Sequence, residues 1–428
     1  MRLLLFTGKG GVGKTTAAAG TATLGAQRGL QTLVLSTDAA HSLGDSYGVQ
    51  VGGVPTLVDT NLYVQHVDAQ SRFERSWGEI QGYLTSVLET VGVDPIEAEE
   101  LTVLPGAEEV LALLEVRDQA RSGSWDLIVV DCAPTAETLR LLALPEALGW
   151  YMDRVLPVER RVVKTLKPVL TRATGVPMPQ DSVFDAVTRL HADLADVRAV
   201  LTSEDASVRM VLTPEAVVVA EARRSLTSLS LYGYRVDGVI ANRIFPSAGG
   251  DAWRRQWVAA QATILADVEA SFAPLDTWRS AYWPCEPVGL AELAAFATAA
   301  YGDSDPFQRP QGPEPVLMRR VGPGAADEEE YGASGGPADR ASDAGADGRR
   351  GWGGSAPMAG ADVLLRVHLP FAERGDVDLA RHGDELVVTV GSYRRLLALP
   401  AALRRSDVVH AQLDDGALQV RFSPRGRP

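Results

Sequence analysis

Residues 8–15, GKGGVGKT, match the phosphate-loop pattern G-x-x-x-x-G-K-[ST] and decide how the rest of the chain is interpreted. The loop follows the apolar stretch Arg2–Phe6 and precedes the helix-forming stretch Thr15–Arg28. In this setting glycines let successive backbone N–H groups surround phosphate oxygens, and the start of the helix adds a positive dipole. The stretch therefore predicts a nucleotide-binding α/β domain.

The loop also predicts the ligand and the residues that contact it. We expect Lys14 to reach the β- and γ-phosphates of ATP and Thr15 to bind Mg²⁺. Lys9 is a second lysine in the same loop, and only four of the chain's 41 basic residues are lysines, which favours a chemical need for both. The expected nucleotide-contacting residues are Gly8, Lys9, Gly10, Gly11, Val12, Gly13, Lys14, Thr15 and Thr16.

Apolar strands alternate with helical stretches through residues 1–301, which favours an α/β fold with a doubly wound, mostly parallel sheet. The stretch WDLIVVD, ending at Asp131, is a continuous apolar run of the kind found in strands covered on both faces. The other expected strands are Thr32–Ser36, Leu62–Val67, Val208–Leu212 and Val236–Ala241.

Two acidic residues follow expected strands beside the phosphate loop. Asp131 is expected to hold Mg²⁺ through water, because an acid after an apolar strand is the usual partner of a phosphate loop. Asp38 follows Thr32–Ser36 and is expected to orient or deprotonate the attacking water, with a helix N-cap as the alternative. Lys14 and Lys9 would offset the charge that develops on the transferred phosphate. The predicted catalytic residues are therefore Asp38, Lys14 and Lys9.

The composition excludes several classes of protein. The 428 residues carry a formal net charge of −14, which disfavours a nucleic-acid or anionic-membrane binder. No apolar run reaches the roughly 18 residues that a membrane helix needs. The only cysteines, Cys132 and Cys285, are too few for a disulfide framework or a cysteine-based zinc site within one chain. We expect a cytoplasmic protein with no nucleic-acid partner and, at most, an indirect membrane association through a client or a membrane partner.

The remainder of the chain divides into two parts. Gly, Pro, Ala, Asp and Ser dominate residues 302–361, which predicts a disordered linker. Residues 362–428 carry short strand-like stretches separated by turn signals such as Asp415-Gly416, which predicts a small all-β sandwich. Its expected strands are Val363–Leu369, Val377–Ala380, Leu386–Val390, Tyr393–Leu399, Val408–Leu413 and Leu418–Phe422.

Several motifs, in their order, resemble the ArsA family, which includes the arsenite-efflux ATPase and the ATPase that targets tail-anchored membrane proteins. The motifs are GKGGVGKTT, STDAAHSL and DCAPTAETLR, followed by VIANRIFP (239–246) and EPVGL (286–290). The resemblance implies a homodimeric ATPase with a deviant Walker A loop, whose Lys9 contacts nucleotide across the dimer interface. It also implies an adenine contact from Asn242, with the loop of Pro287 nearby, and a client-binding helical subdomain at residues 149–207.

Some residues depart from the family's pattern. Ala39 replaces a proline of the first switch, and Cys132, Ala136 and Glu137 replace Thr, Gly and His of the second, so the coupling of hydrolysis to motion can differ. The cysteine ligands of the arsenite enzyme and the Cys-x-x-Cys zinc clasp of the targeting enzyme are both absent from the sequence. The C-terminal module resembles the α-crystallin domain of small heat-shock proteins, through VHLP (367–370), GDELVV (383–388) and RRLLALP (394–400).

These features favour a Mg-ATP-hydrolysing dimeric switch that binds and releases a hydrophobic or helical protein client. Apolar residues recur at helical spacing from Val155 to Val169 and from Val183 to Leu201. In a dimer these stripes would form a client groove, or each would simply pack on its neighbours. One alternative is an ATPase that energises an arsenite-type efflux pump, which the missing cysteines disfavour. Another is a small-molecule P-loop kinase, which needs a second substrate pocket that no motif indicates.

Overall fold

An eight-stranded sheet forms the centre of the first unit of the molecule. The computed structural model describes residues 1–37, 42–67, 85, 107–132, 181–310, 314–321, 330–332 and 362–424. The strands are β1 (Arg2–Thr7), β2 (Thr32–Ser36), β3 (Thr56–Asp59), β4 (Leu62–His66), β5 (Leu127–Asp131), β6 (Ala206–Leu212), β7 (Val236–Ile244) and β8 (Asp276–Ala281). Their order is β3-β4-β2-β5-β1-β6-β7-β8, and every pair is parallel except β3–β4. The predicted mostly parallel sheet is confirmed.

Helices pack against this sheet and bury its central strands. They are α1 (Lys14–Gln27), α2 (Ser42–Tyr47), α3 (Ala107–Arg121), α4 (Asp181–Leu201), α5 (Ala216–Tyr232), α6 (Ala252–Phe272) and α7 (Leu290–Tyr301). Every residue of β1, β2 and β5 is buried. Full burial on both faces explains why these strands are continuous apolar runs instead of alternating ones.

Two edge strands of the sheet escape prediction from the sequence. β3 and β8 lie at its opposite edges. β3 alternates between half-buried and exposed residues, and exposed residues interrupt the burial of β8. The β8 stretch reads DTWRSA, so its polar residues hide the strand from a search for apolar runs. Edge strands need only one buried face, and short ones therefore carry a weak sequence signal.

The second unit is a pair of antiparallel sheets built mostly from the C-terminal residues. The strands are β9 (Val316–Val321), β10 (Glu330–Gly332), β11 (Asp362–His368), β12 (Val377–His382), β13 (Glu385–Val390), β14 (Tyr393–Ala398), β15 (Ser406–Asp414) and β16 (Ala417–Pro424), with the short helix α8 (Ala401–Arg404) before β15. One sheet has the order β10-β9-β11-β16-β15 and the other β12-β13-β14. Val367, Val388, Val420 and Phe422 are fully buried in its core. All six predicted strands of this module are confirmed.

The linker prediction for residues 302–361 is wrong at β9. Val316–Val321 forms a strand that pairs with β11, with Val316 opposite Val367. Six residues are too few to fold alone, so this strand acquires stability only from the sheet it joins, which composition does not reveal. The rest of the predicted linker, apart from residues 302–310, 314–315 and β10, lies outside the described residues.

The β module packs directly on α5 of the first unit. Leu231, near the end of α5, is fully buried within the module's apolar core. Its carbonyl accepts a hydrogen bond from Arg395 Nη1 of β14, and the Thr227 hydroxyl donates to the carbonyl of Pro370. The module is therefore docked on the first unit, a contact that the expectation of a flexible tether does not include.

Part of the predicted client subdomain belongs to the core of the first unit. Leu194, Val197 and Leu201 of α4 are buried against it, so the C-terminal half of this stripe packs on its neighbours. Residues 149–180, with the Val155–Val169 stripe, lie outside the described residues, and so does the side chain of Val183. Among the helices that the structure describes, none combines the length and apolar character needed to cross a membrane.

Candidate nucleotide site

The phosphate loop connects β1 to α1 at the carboxyl edge of the sheet, where open α/β sheets bind their ligands. Two of its glycines have no room for a side chain. A Cβ on Gly8 would overlap the carbonyl of Val211, and one on Gly13 would overlap Nδ2 of Asn242. Gly13 also has φ +95°, in the left-handed region. These contacts require glycine and hold the loop against β6 and β7.

Lys14 begins α1 and is buried, with 8% of its surface exposed. Its Nζ lies 3.5 Å from the carbonyl oxygen of Lys9, so the ammonium folds back over the phosphate loop. Because the N-cap residue is Gly13, no side chain caps α1, and its first N–H groups remain available to a phosphate. Lys14 thus lies beside the loop, and its phosphate contact stays a prediction.

Lys9 points to a different partner. Its side chain is 42% exposed, and its Nζ lies 3.9 Å from Oε2 of Glu221 on α5. An exposed ion pair at this distance contributes little stability, so Lys9 is easily released from it. The sequence offers no signal for Glu221, because the contact depends on how α5 lies beside the loop.

Asp131 ends β5 immediately beside the phosphate loop's strand. It lies opposite Phe6 of β1 and Ser36 of β2, and only 1% of its surface is exposed. The N–H of Thr37 donates to the carbonyl oxygen of Asp131 at 3.0 Å, which ties the ends of β2 and β5 together. Asp38 lies outside the described residues, although β2 brings the chain to this edge of the sheet.

The oxygen donors at this edge fit Mg²⁺. Thr15 is half-buried on the first turn of α1, and the Asp131 carboxylate is buried at the end of a neighbouring strand. A hydroxyl and a carboxylate are hard oxygen ligands, which Mg²⁺ prefers. Loop and acid therefore offer the complementary halves of a Mg-nucleotide site.

Cys132 does not provide a reactive thiol beside the phosphate loop. Cys132 is buried next to Asp131, and burial together with that carboxylate raises the pKa of the Cys132 thiol, although Lys14 opposes the shift. The thiol therefore stays protonated, in a state that is a poor nucleophile and metal ligand. Cys285 is exposed in the segment before α7. Within the described ranges, no group of three or more His, Cys, Asp and Glu side chains could hold a metal ion.

Asn242 contacts the phosphate loop directly from β7. Its Nδ2 donates to the carbonyl oxygen of Val12 at 2.9 Å, and only 5% of its surface is exposed. Pro287 lies half-buried in the segment between β8 and α7, and this segment is tied to α2 by a hydrogen bond from Gly289 N to the Ser46 carbonyl. Of the two residues predicted to contact adenine, Asn242 thus touches the phosphate loop, and Pro287 lies in a segment that is tied to α2.

Sequence reasoning missed Gln261 of α6, which supports the chain after Asn242. Gln261 is 5% exposed and makes hydrogen bonds to the backbone of Arg243 and Phe245. A single glutamine on a helix carries no sequence signal of this kind, because the bonds depend on how α6 packs against the end of β7.

A phosphate loop at the carboxyl edge, a buried lysine above it and an acid on the next strand define a P-loop nucleotide-binding protein. The family described as anion-transporting ATPase matches residues 1–302, and the HSP20-like domain found in ArsA matches residues 360–422. The chain therefore belongs to the ArsA ATPase family and carries an HSP20-like domain at its C-terminal end.

Several curated proteins that are similar to this chain are named as ATPases. A putative arsenical pump-driving ATPase of Chlorobaculum tepidum is 33% identical over 427 residues, covering 99% of this chain and 96% of the relative. The putative arsenical pump-driving ATPase 1 of Aquifex aeolicus is 30% identical over 434 residues, covering 99% and 100%. The ATPase get3 of Aspergillus niger is 28% identical over 257 residues, covering 59% and 75%. The predicted ATPase activity is thereby confirmed at the level of the family.

Proposed function

We propose that this ATPase is a dimeric switch, driven by Mg-ATP, that binds and releases a hydrophobic protein client. The observation that carries the proposal is the position of α5. Near its start, Glu221 pairs with Lys9 of the phosphate loop, and near its end Thr227 and Leu231 contact the HSP20-like module. One helix thus links a loop that binds nucleotide to a module whose fold is that of chaperones.

Hydrolysis in this proposal is an in-line attack of water on the γ-phosphate. Lys14 and Lys9 offset the negative charge that develops on the phosphate oxygens, and Asp38 orients the water. Thr15 and Asp131 would hold Mg²⁺, which supplies neutralising charge when bound. Asn242 and Pro287 contact the adenine base.

The state of Lys9 supports the proposed dimer. Its ammonium is half-exposed and weakly paired to Glu221 at 3.9 Å, so it is free to serve a nucleotide held by a second copy. A complementation experiment tests this directly, because neither Lys9→Ala nor Lys14→Ala alone keeps a complete site. In a mixed dimer, one site regains the Lys14 of one subunit and the Lys9 of the other.

We expect the mixture of the two inactive variants to recover ATPase activity, approaching one working site per mixed dimer. Mixing each variant with additional copies of itself is the matched control and should recover none. Absence of recovery, with mixed dimers demonstrated by a tag on one subunit, would rule out the contribution of Lys9 in trans.

Client binding is tested with a defined probe. A fluorescent peptide of about 20 apolar residues, the length of a membrane helix, is compared with a matched peptide carrying interspersed charges. We expect Asp38→Asn with ATP to retain the apolar peptide, measured by fluorescence anisotropy, and Lys14→Ala to lose the nucleotide effect. Equal binding with and without nucleotide would contradict the switch.

The names of the relatives favour a second candidate, an ATPase that energises an arsenite-type efflux pump. Against it stand the buried, protonated Cys132 and the isolated position of Cys285 in the sequence. Stimulation of ATP hydrolysis by arsenite, abolished by Cys285→Ser, would favour the pump. Membership of an ATPase family gives no support to the alternative of a small-molecule kinase. Transfer of phosphate to a metabolite instead of water would favour that alternative.

A further inference from the structure

Gln261 lies at the middle of α6, and its side chain bonds to backbone groups at the carboxyl end of β7 and just after it. Its Oε1 accepts from the N–H of Phe245 at 2.8 Å, and its Nε2 donates to the carbonyl of Arg243 at 3.1 Å. One end of the amide accepts and the other donates, so the two bonds fix the orientation of the side chain. At 5% exposure, water does not replace either bond readily.

The segment that Gln261 holds is conformationally unusual. Arg243 has φ +58°, in the left-handed region that L-residues with a Cβ seldom adopt. Its side chain is exposed, so the conformation is imposed through the backbone. Gln261 donates to the carbonyl of Arg243, and the backbone N–H of Arg243 donates to Oδ1 of Asn242 at 2.9 Å. Such a residue persists where the surroundings determine it, and such residues concentrate at functional sites.

The segment that Gln261 holds contacts the phosphate loop through Asn242. Asn242 donates to the carbonyl of Val12, and its amide fills the space where a side chain on Gly13 would stand. A set of hydrogen bonds therefore runs from α6 through Arg243 and Asn242 to Val12, and the Asn242 amide also lies against Gly13, the residue before Lys14. A loss of Gln261 would free Arg243 to relax and would displace the Asn242 amide.

We propose that Gln261 is a positioning residue of the nucleotide site, which acts through Arg243 and Asn242 to keep Val12 and Gly13 in their phosphate-binding conformation. The proposal rests on the nucleotide site proposed above. Gln261 itself touches neither phosphate nor base. A purely structural glutamine would instead stabilise the fold with no selective effect on nucleotide affinity.

The first experiment compares Gln261→Met, which keeps the length of the side chain but not its hydrogen bonds, with Gln256→Met. Gln256 is exposed on the same helix and is the matched control. In the full-length protein we expect Gln261→Met to raise KM for ATP and Kd for a fluorescent ADP about tenfold, the effect of losing about 1.4 kcal/mol of binding. The kcat should stay within about twofold of wild type, and Gln256→Met should change nothing.

The second experiment tests the route by a double-mutant cycle. If Gln261 acts through Asn242, Gln261→Met adds less than about twofold to KM in an Asn242→Ala background, because interacting residues are not additive. Full additivity, or a loss of thermal stability with KM unchanged, would overturn the proposal. If Gln261→Met does not fold, Gln261→Glu replaces it, since it keeps the acceptor for Phe245 but loses the donor to Arg243. A Lys14→Ala variant that still hydrolyses ATP would instead refute the site itself.

Discussion

The two units of this protein each bury an arginine that ties distant parts of the chain together, Arg209 in the α/β unit and Arg395 in the β module. Arg209 of β6 is 1% exposed and bonds to Asp237 at 2.7 Å, to the Tyr301 hydroxyl at 2.9 Å and to the carbonyl of Pro306 at 2.7 Å. Burial alone would lower the pKa of Arg209, but Asp237 and Tyr301 raise it above its usual value. In the α/β unit, Arg209 thus forms a buried ion pair with Asp237 of β7, and its hydrogen bonds to Tyr301 and Pro306 hold the unit's C-terminal segment.

Arg395 of the module is 5% exposed and donates to the carbonyl of Leu231 near the end of α5. A helix C-terminus carries a partial negative charge. The guanidinium therefore stabilises the contact between the module and α5, here called the dock, through the helix dipole as well as through a hydrogen bond. The Arg223 guanidinium also lies 5.5 Å from the ring centroid of Phe371, and the Phe272 and Phe371 ring centroids are 5.7 Å apart. A buried charge pair therefore contributes to holding the α/β unit, and a hydrogen bond to a helix carbonyl and aromatic contacts contribute to holding the dock.

The largest expected effect is a loss of ATP hydrolysis that leaves the stability contributed by Arg209 and Arg395 unchanged. Lys14→Ala removes the ammonium above the phosphate loop, and we expect kcat/KM for ATP to fall about 100-fold or more, as when one transition-state donor is lost. Because Lys14 contacts neither arginine cluster, the unfolding temperature without nucleotide should stay close to that of wild type. A steep loss of stability instead would mean that Lys14 holds the fold and not the ligand.

Breaking the ion pair should be the largest effect on stability. Arg209→Met leaves the Asp237 carboxylate, whose side chain is 5% exposed, with Arg2 at 3.1 Å as its remaining cation. We expect a loss of about 3 kcal/mol in the free energy of unfolding, at the low end for a broken buried pair because Arg2 remains. Urea unfolding measures it, and the double variant Arg209→Met with Asp237→Asn should recover part of the loss. No recovery would show that packing against Trp278, and not charge, carries the contribution.

Weakening the dock should lower the free energy of unfolding less than breaking the ion pair of Arg209 with Asp237. Arg395→Met leaves the Leu231 carbonyl without this donor, and we expect a loss of about 2 kcal/mol. The loss should appear as earlier proteolysis between the two units, with ATP hydrolysis retained. Arg394→Met, at an exposed neighbouring position, is the matched control. A loss of unfolding free energy as large as that of Arg209→Met would refute the expectation that Arg395 contributes less stability than Arg209.

The contrast between the units also explains what the sequence could predict. The phosphate loop, Asp131 and the strands around them were predictable because glycine spacing and apolar runs specify local geometry. The edge strands β3 and β8, Gln261 and the pairing of Lys9 with Glu221 were not, since each depends on which surfaces meet in the folded chain. The docking of the module on α5 belongs to the same class, because a linker's composition reports flexibility and not contact. The roles of Asp38 and of residues 149–180 stay predictions.

The smallest effect concerns the pH dependence of the dock. His368 ends β11 at the boundary between the units, near Leu226 and Pro370, and its backbone N–H donates to the carbonyl of Pro315 at 2.8 Å. Burial, together with Arg366, lowers the pKa of His368 below its usual 6.5, although Asp415 opposes the shift. In the unfolded chain the imidazole therefore binds a proton at a higher pH than in the folded one. Stability from this residue is present above pH 6.5 and declines as the pH falls through the unfolded value towards the lower folded one.

We expect the urea midpoint of the module to fall between pH 7.5 and pH 5.5, and His368→Gln to lessen that fall. His410→Gln, at an exposed position on β15, is the control and should leave it unchanged. If His368→Gln and the wild type lose the same stability on acidification, carboxylates elsewhere set the pH response and His368 does not. The proteolysis assay used for Arg395→Met then separates the two devices at the dock, because loss of the Arg395 donor loosens it at every pH and protonation of His368 only in acid.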